Sequence, residues 1–169
     1  MIKPSVKVIE DKILKPEILH ILFICRGNAC RSIIAEAYLK SLNIKNITIK
    51  SVGSVATIGK SRNKIRYQRI SRLLKRHNLQ QYIKTDFAEQ LTQELLDQSD
   101  IAICVNRKVF NNIPQSFILP KETYYWDITD IGEVGRIPST SKEVSTFEDQ
   151  IFSEVIQEVD KFVAERIAR

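Results

Sequence analysis

Cysteine is scarce in this chain, with three in 169 residues, and no apolar stretch approaches the ~20 residues that a membrane-spanning helix needs. So few cysteines, and an odd number of them, exclude a disulfide scaffold and favour a reduced, cytoplasmic protein. The three cysteines and two histidines show no metal-ligand spacing, so we expect no metal and no cofactor. The N-terminal residues mix charges without an apolar core segment, so a secretory signal is not expected either.

The length and amino-acid balance fit a single domain. A chain of 169 residues with 43% hydrophobic side chains can fill one core, and its five glycines and five prolines form no linker. We expect residues 19–169 to form this domain and residues 1–18 to form an N-terminal extension. The alternation Val6-Lys7-Val8 fits an added strand, but a surface arm or a disordered segment fits it equally well.

Strand-like and helix-like runs alternate along the chain. Short apolar runs with β-branched residues predict strands at 19–24, 47–52 and 101–105. Apolar residues at helical spacing predict helices at 33–42, 62–77, 91–96 and 144–167. This alternation indicates a parallel sheet covered on both faces, with ligands bound beyond the carboxyl ends of the strands.

One loop lies where the first predicted strand ends and a helix begins, and it reads Cys25-Arg26-Gly27-Asn28-Ala29-Cys30-Arg31-Ser32. Backbone N–H groups and the positive end of the helix macrodipole converge at such a place, which favours a bound phosphate and a thiolate. Gly27 and Asn28 tolerate the positive φ that turns successive N–H groups inward. A bare Cys-x5-Arg spacing usually means a buried structural cysteine beside a surface arginine, but this setting favours a phosphate site.

The residue types in this loop predict its chemistry. Cys25 is the candidate nucleophile, which attacks phosphorus and forms a cysteinyl-phosphate. Arg31 presents a planar fork to two equatorial phosphoryl oxygens, and the Ser32 hydroxyl can donate to the Cys25 sulfur. The rest of the expected cradle consists of backbone N–H groups from residues Arg26, Gly27, Asn28, Ala29, Cys30 and Arg31.

The motif Cys25-x-Gly27-Asn28-x-Cys30-Arg31-Ser32, followed by Ala35-Glu36, resembles that of the low-molecular-weight protein tyrosine phosphatases, relatives of the thioredoxin-linked arsenate reductases. Ser51-Val52-Gly53-Ser54 is similar to that family's segment at the end of its second strand. The resemblance extends from about residue 19 to the C-terminus. It implies a three-layer α/β/α domain around a mainly parallel, four-stranded sheet, and hydrolysis of phosphotyrosine in proteins without a cofactor.

A phosphatase of this kind needs a carboxylic acid that protonates the departing phenolate and then activates water. The sequence offers Asp127 and Asp130, and the resemblance implies Asp130, because the family's acid follows an aromatic residue at about this distance. Ile131 stands where the family has proline, and no aromatic follows it. Either aspartate could instead cap a turn. What walls the substrate ring stays open, with Tyr124, Tyr125 and Trp126 as candidates.

The other two cysteines bear on an alternative function. Cys30 is either a resolving thiol for oxidised Cys25 or a small apolar residue beneath the loop. Cys104 falls in an apolar strand and is expected to be a buried thiol. Thioredoxin-linked arsenate reductases use further cysteines downstream of the loop, and this chain has only Cys104 there, so arsenate reduction is disfavoured.

The net charge of +6 is concentrated between Lys60 and Arg76. We expect a solvated helix face first, steering of acidic phosphopeptides second, and nucleic-acid binding a distant third. A non-catalytic phosphopeptide-binding module is a further alternative, but it would need neither Cys25 nor an acid. The partners expected from the sequence are thus phosphotyrosine proteins and a tetrahedral oxyanion in the loop, with no nucleic acid and no membrane.

Overall fold

A four-stranded sheet, parallel throughout, forms the centre of the protein. Its strands are β1 (Leu19–Cys25), β2 (Ile47–Gly53), β3 (Ile101–Cys104) and β4 (Glu122–Tyr125). They lie in the order β2-β1-β3-β4, with Leu22 opposite both Lys50 and Ala102. The chain leaves β1 toward one edge and later returns to its other side, so the strand order reverses beside β1. Parallel sheets bind ligands at such a reversal.

The computed structural model describes residues 17–56, 60–83, 88–130 and 138–168, and only the backbone for 60–67. The helices are α1 (Arg31–Ser41), α2 (Lys60–Arg76), α3 (Gln93–Asp97), α4 (Arg107–Asn111) and α5 (Ser141–Phe162). A 3-10 turn covers Gln80–Tyr82, and α5 continues into a π-helical turn at Val163–Ile167. The suggested strand at residues 6–8 and the position of Ile131 lie outside the described residues.

The two faces of the sheet bury separate hydrophobic clusters. Because side chains alternate along a strand, Ile21 and Phe23 of β1 face one cluster while Leu22 and Ile24 face the other. The first cluster is covered by α1, α2 and α5, and the second by α3 and α4. The three-layer α/β/α arrangement predicted from the sequence is therefore confirmed.

The longest helix, α5, has a well-defined start and a buried stripe. The Thr140 hydroxyl accepts a hydrogen bond from the Glu143 N–H, and the Glu143 carboxylate accepts one from the Thr140 N–H. This capping box satisfies N–H groups that the first helical turn leaves without partners. Apolar residues at helical spacing then face the core, namely Phe147, Ile151, Val155, Val159 and Phe162. The helix is a firm platform for side chains on its flanks.

Most predicted elements are confirmed, with small differences in their bounds. The strand predicted at 101–105 ends at Cys104, and Leu91 precedes the short helix α3 instead of belonging to it. The strand β4 and the helix α4, with four and five residues, were not predicted from the sequence. Elements this short lack the periodic signal that longer ones carry. No helix within the described parts of the chain has the length and apolarity to cross a membrane.

Candidate active site

The loop from Cys25 to Arg31 joins β1 to α1 at the carboxyl edge of the sheet. Neighbouring backbone holds two of its carbonyls in place, since the Ser54 N–H donates to the Cys25 carbonyl at 2.8 Å and the Val55 N–H donates to the Arg26 carbonyl at 2.9 Å. The N–H groups of Gly27, Ala29 and Cys30 donate to no described residue. These three groups stay candidates for the predicted anion cradle, because amides at the mouth of a helix bind oxyanions well.

Two donors converge on the Cys25 sulfur. The Ser32 hydroxyl lies 3.0 Å from Sγ, as the sequence predicted, and the Asn28 N–H lies 3.1 Å from it. Asn28 was expected among the amides that bind the oxyanion, but its N–H is turned to the sulfur. The Cys25 residue is only 3% exposed. Both donors stabilise negative charge on sulfur, so this thiol can serve as a nucleophile and later as a leaving group.

Asn28 fixes the shape of the loop from inside. Its φ of 45° lies in the left-handed region, which asparagine tolerates better than most residues. Its side-chain amide donates to the hydroxyls of Ser32, at 3.1 Å, and Ser51, at 3.0 Å. The amide oxygen accepts the Glu89 N–H at 2.9 Å. The residue is 5% exposed, so these buried bonds determine the local conformation.

The network reaches α1 through Ser51. The Ser51 hydroxyl donates to Glu36 at 2.5 Å, and Glu36 also pairs with Lys40 one turn later on α1. In the sequence, Ser51 and Glu36 stand out only as parts of the resemblance. Their bond could not be predicted from the residues alone, because it depends on how α1 packs against β2.

Gly53 allows the loop to approach β2 closely. A Cβ atom at this position would lie 2.7 Å from the Asn28 nitrogen, 2.8 Å from the Gly27 carbonyl carbon and 2.9 Å from Ala56 Cβ. No side chain fits there unless the loop moves. The Gly53 backbone also bonds to Glu89 and Leu91, which ties the loop's support to the segment before α3.

Arg31 faces the carboxylate of Asp130. Its Nη2 lies 2.7 Å from Asp130 Oδ2, and its Nη1 donates to the Ile128 carbonyl at 3.4 Å. The Arg31 side chain is 7% exposed and that of Asp130 is 29% exposed, so the carboxylate alone borders solvent. Asp127 is exposed and forms no ion pair with a described residue. The structure thus brings Asp130, and not Asp127, to the loop arginine.

Residues 126–130, here named the acid segment, form hydrogen bonds with residues 104–106, at and after the end of β3, and with α5. The Trp126 and Ile128 N–H groups donate to the carbonyls of Cys104 and Val105. The buried Asn106 amide donates to the Ile128 carbonyl at 3.4 Å, while its oxygen caps α4. Trp126 is buried against Phe23, with 5.5 Å between ring centroids, so it is a core residue and does not wall the substrate ring.

The remaining aromatic candidates lie at the β4 edge. Tyr124 is partly buried and packs edge-on against Phe162. Tyr125 is 47% exposed, packs against Phe110 and lies under the Arg107 guanidinium. Packing contacts within the protein therefore account for the positions of both tyrosine rings without a role in substrate binding.

The two other thiols are protonated at neutral pH. Burial, followed by the electrostatic interaction with Cys25, raises the pKa of Cys30 to about 12. Burial alone raises the pKa of Cys104 to about 12, and its side chain is fully buried as predicted. All three cysteines are free thiols. Neither Cys30 nor Cys104 is a nucleophile in this state, because thiolates and not thiols attack.

The basic stretch forms α2, and its described C-terminal half is largely exposed. Arg69 and Arg72 lie near Glu148 of α5, and Arg76 pairs with the neighbouring Asp149 at 2.8 Å. Burial, only partly opposed by these arginines, raises the pKa of Glu148. Acidic residues on α5 therefore offset part of the positive field of α2.

Across the described residues, no group of His, Cys, Asp and Glu is arranged to hold a metal ion.

Comparisons with known proteins show the family to which the chain belongs. The family model described as low molecular weight phosphotyrosine protein phosphatase matches residues 20–133. A low molecular weight protein-tyrosine-phosphatase from Acinetobacter johnsonii is 30% identical over 102 residues, which cover 60% of this chain and 67% of that protein. A protein-arginine-phosphatase from Bacillus subtilis is 27% identical over 93 residues, covering 53% of this chain and 57% of that protein.

Solved structures show the same fold at lower identity. A low molecular weight protein tyrosine phosphatase from Streptococcus pyogenes aligns with a TM-score of 0.70 and 17% identity, covering 89% of this chain and 94% of that one. An arsenate reductase from Archaeoglobus fulgidus aligns with a TM-score of 0.54 and 23% identity, covering 86% and 99%. These identities support the fold alone. The family match covers more than half of the chain, which therefore belongs to the low molecular weight phosphotyrosine protein phosphatases, a family of enzymes.

Proposed function

We propose that this protein hydrolyses aryl phosphate monoesters, above all phosphotyrosine in proteins, through a cysteinyl-phosphate intermediate. One observation carries the proposal: the Cys25 sulfur accepts two hydrogen bonds within a loop whose arginine faces a carboxylate. A sulfur stabilised as an anion, a fixed cation for phosphoryl oxygens and an acid within reach make up the parts of a phosphatase. Residues 19–169 would form the catalytic domain and residues 1–18 an extension, in the cytoplasm.

In the first step, the Cys25 sulfur attacks phosphorus, an S–P bond forms and the P–O bond to the phenol breaks. Asp130, protonated at this stage, donates its proton to the departing phenolate oxygen. Arg31 and the N–H groups of Gly27, Ala29 and Cys30 bind the equatorial oxygens, whose charge they stabilise. The ester is thereby exchanged for a cysteinyl-phosphate, and the phenol leaves neutral.

In the second step, water attacks the cysteinyl-phosphate. The Asp130 carboxylate takes a proton from this water, an O–P bond forms and the S–P bond breaks. The sulfur leaves as an anion, which the Ser32 hydroxyl and the Asn28 N–H stabilise. Inorganic phosphate is released, and Asp130 is again protonated for the next substrate.

Asp130 is the proposed acid in preference to Asp127. Its carboxylate pairs with Arg31 at 2.7 Å, whereas Asp127 is exposed and has no comparable contact among the described residues. The acid must reach an oxygen bound to phosphorus, and Arg31 also has to contact that phosphoryl group. A carboxylate beside Arg31 meets this requirement.

A second candidate substrate is phosphoarginine in proteins, because one curated relative is a protein-arginine-phosphatase. The same two steps would then break a P–N bond and release a guanidine. Arsenate reduction is less well supported, since Cys104 is the one cysteine downstream of the loop and its side chain is fully buried. Neither alternative changes the proposed roles of Cys25 and Arg31.

Hydrolysis of phenyl phosphate and 4-nitrophenyl phosphate tests the proposal. We expect Cys25→Ser to lose nearly all turnover, by ~10^4-fold or more, while inorganic phosphate still binds. Asp130→Asn should lower kcat/KM by ~10^2-fold or more for phenyl phosphate and by less for the nitrophenyl ester, which needs less help from an acid. Asp127→Asn is the matched control and should stay close to the wild type.

The outcomes separate the alternatives. Full turnover by Cys25→Ser would refute the cysteinyl-phosphate intermediate, and a damaging Asp127→Asn beside a normal Asp130→Asn would reassign the acid. Peptides carrying phosphotyrosine or phosphoarginine, compared by kcat/KM, decide the substrate class. Arsenate-dependent oxidation of thioredoxin would indicate a reductase instead.

A further inference from the structure

We infer that Glu154 of α5 is a positioning residue that holds Asp130 in place for proton transfer. The inference rests on the proposed function, because it assigns Glu154 a role only through the acid. Glu154 makes a bidentate contact with Thr129: its Oε2 accepts the Thr129 N–H at 2.9 Å, and its Oε1 accepts the Thr129 hydroxyl at 3.3 Å. Thr129 directly precedes Asp130 in the acid segment.

Glu154 is itself held firmly. The Gln150 amide, one helical turn earlier, donates to Glu154 Oε1 at 2.9 Å. Its neighbours Ile151 and Val155 are buried in the core beneath α5. A carboxylate that accepts several hydrogen bonds is well oriented, and bonds to a charged acceptor are stronger than neutral ones. Through Glu154, the packed helix α5 therefore fixes the position of Thr129, the residue before the acid.

The other anchors of the acid segment stop short of Thr129. The backbone bonds to β3 end at Ile128, and the Asn106 amide reaches the Ile128 carbonyl. Beyond Ile128, the described structure holds the segment only through the Glu154–Thr129 contact and the Arg31–Asp130 pair. Two interactions thus share the task of placing the acid.

Those two interactions differ in what happens to them during the reaction. A bound phosphoryl group draws on the Arg31 donors, because the protonated Asp130 of the first step is neutral and accepts from them more weakly than the anionic phosphoryl oxygens do. The Arg31–Asp130 pair is therefore weakest when the acid must act. The contact between Glu154 and Thr129 involves no group that binds the phosphoryl oxygens, so it persists in the complex and keeps the carboxylate near the ester oxygen.

The effect of Glu154 should depend on the leaving group. A misplaced acid slows departure of a basic phenolate far more than departure of a nitrophenolate, which leaves well without a proton. We expect Glu154→Ala to lower kcat/KM about tenfold for phenyl phosphate and no more than about twofold for 4-nitrophenyl phosphate. Hydrolysis of the cysteinyl-phosphate is common to both substrates, so kcat/KM is the quantity that reports this difference.

Conservative variants provide the internal checks. Glu154→Gln can still accept the Thr129 N–H and should retain kcat/KM for phenyl phosphate within about threefold, which separates geometry from charge. Thr129→Val keeps the backbone bond and should show a smaller loss than Glu154→Ala. If Glu154→Ala folds poorly, Thr129→Val provides the test: its kcat/KM should fall for phenyl phosphate and stay unchanged for 4-nitrophenyl phosphate. Glu158→Ala removes a glutamate one turn further along α5 and should match the wild type.

A double variant distinguishes failure of this inference from failure of the proposed function. If Glu154 acts through the acid, adding Glu154→Ala to Asp130→Asn should change phenyl phosphate hydrolysis little beyond the single Asp130→Asn variant. Equal losses on both esters, or a further tenfold loss in the double variant, would overturn the positioning role while leaving Asp130 as the acid. A normal Asp130→Asn would instead refute the proposed acid.

Discussion

The phosphate-binding loop and the acid segment contribute complementary groups to one site but are held in different ways. Within the loop, Cys25, Asn28 and Ser32 bond to one another across at most seven residues of sequence. In the acid segment, the hydrogen bonds at Ile128, Thr129 and Asp130 reach residues between 22 and 99 positions away. The loop is a local structure with outside support, whereas the acid segment is positioned almost wholly by tertiary contacts.

This difference predicts two kinds of damage. Changes in the loop disturb the binding of the phosphoryl group, which every substrate shares, so they should lower the hydrolysis of all aryl phosphates alike. Changes around the acid segment disturb protonation of the leaving group, so their effect should grow with the basicity of the phenol. Comparing two esters for each variant therefore tells which half of the site it damages.

Among the residues that support the reacting groups, the largest effect is expected from Asn28→Ala. Alanine strains the left-handed backbone by ~1–2 kcal/mol and leaves the Glu89 N–H without its acceptor, which costs a further ~1–3 kcal/mol. We expect kcat/KM to fall about 100-fold on phenyl and nitrophenyl esters alike, and the free energy of unfolding to fall as well. Asn28→Gly relieves only the backbone strain and should recover part of the stability. Loss confined to phenyl phosphate would contradict the comparison.

Gly53→Ala should have the next largest effect. The new Cβ would lie 2.7 Å from the Asn28 nitrogen, so the loop must shift, and overpacking of this kind costs ~1–3 kcal/mol. We expect a loss of kcat/KM of about tenfold or more that is equal on both esters, together with weaker binding of inorganic phosphate. Ser54→Ala, which adds no atom at the neighbouring residue, is the control. Unchanged phosphate affinity in Gly53→Ala would show that the loop accommodates the methyl group.

Asn106→Ala tests the acid segment from the β3 side. It removes the donor to the Ile128 carbonyl and the cap of α4, a cap worth ~1 kcal/mol. We expect a loss of about threefold to fivefold on phenyl phosphate and less on the nitrophenyl ester. Asn106→Asp retains the acceptor that caps α4 but places a buried carboxylate against the Ile128 carbonyl, so it should reproduce the kinetic loss and also lower the free energy of unfolding. Full activity of Asn106→Asp would assign the residue to α4 alone.

The smallest effect concerns Cys30 and appears only at high pH. Burial raises the pKa of Cys30 from 9.0 to about 12, so the folded protein holds this proton more tightly than the unfolded chain does. The resulting contribution to the free energy of unfolding is complete below pH 9 and decreases between pH 9 and 12, by up to ~1.4 kcal/mol per pH unit. Urea unfolding at pH 8 and pH 10 should show a stability difference between wild type and Cys30→Ala that shrinks with pH. A constant difference would contradict the shift.

Much of the fold and half of the site were predictable from sequence. The apolar runs of β1 to β3 and the stripe on α5 have the length and period that fix element type. The runs on either side of the Cys25-to-Ser32 motif placed it between the first strand and the following helix, and the residue types predicted the bond from the Ser32 hydroxyl to the Cys25 sulfur. By contrast, β4 is too short to show a pattern, and the pattern analysis gave no reason to connect Thr129 with Glu154.

Sequence by itself determined that Cys25, Arg31 and Ser32 share one loop at the mouth of a helix, because neighbours in a chain cannot separate. Only the tertiary structure decided that Asp130 and not Asp127 faces Arg31, and that Glu154 and Asn106 hold the segment between them. Those contacts depend on the packing of β3, β4 and α5, and no local spacing encodes how distant elements meet.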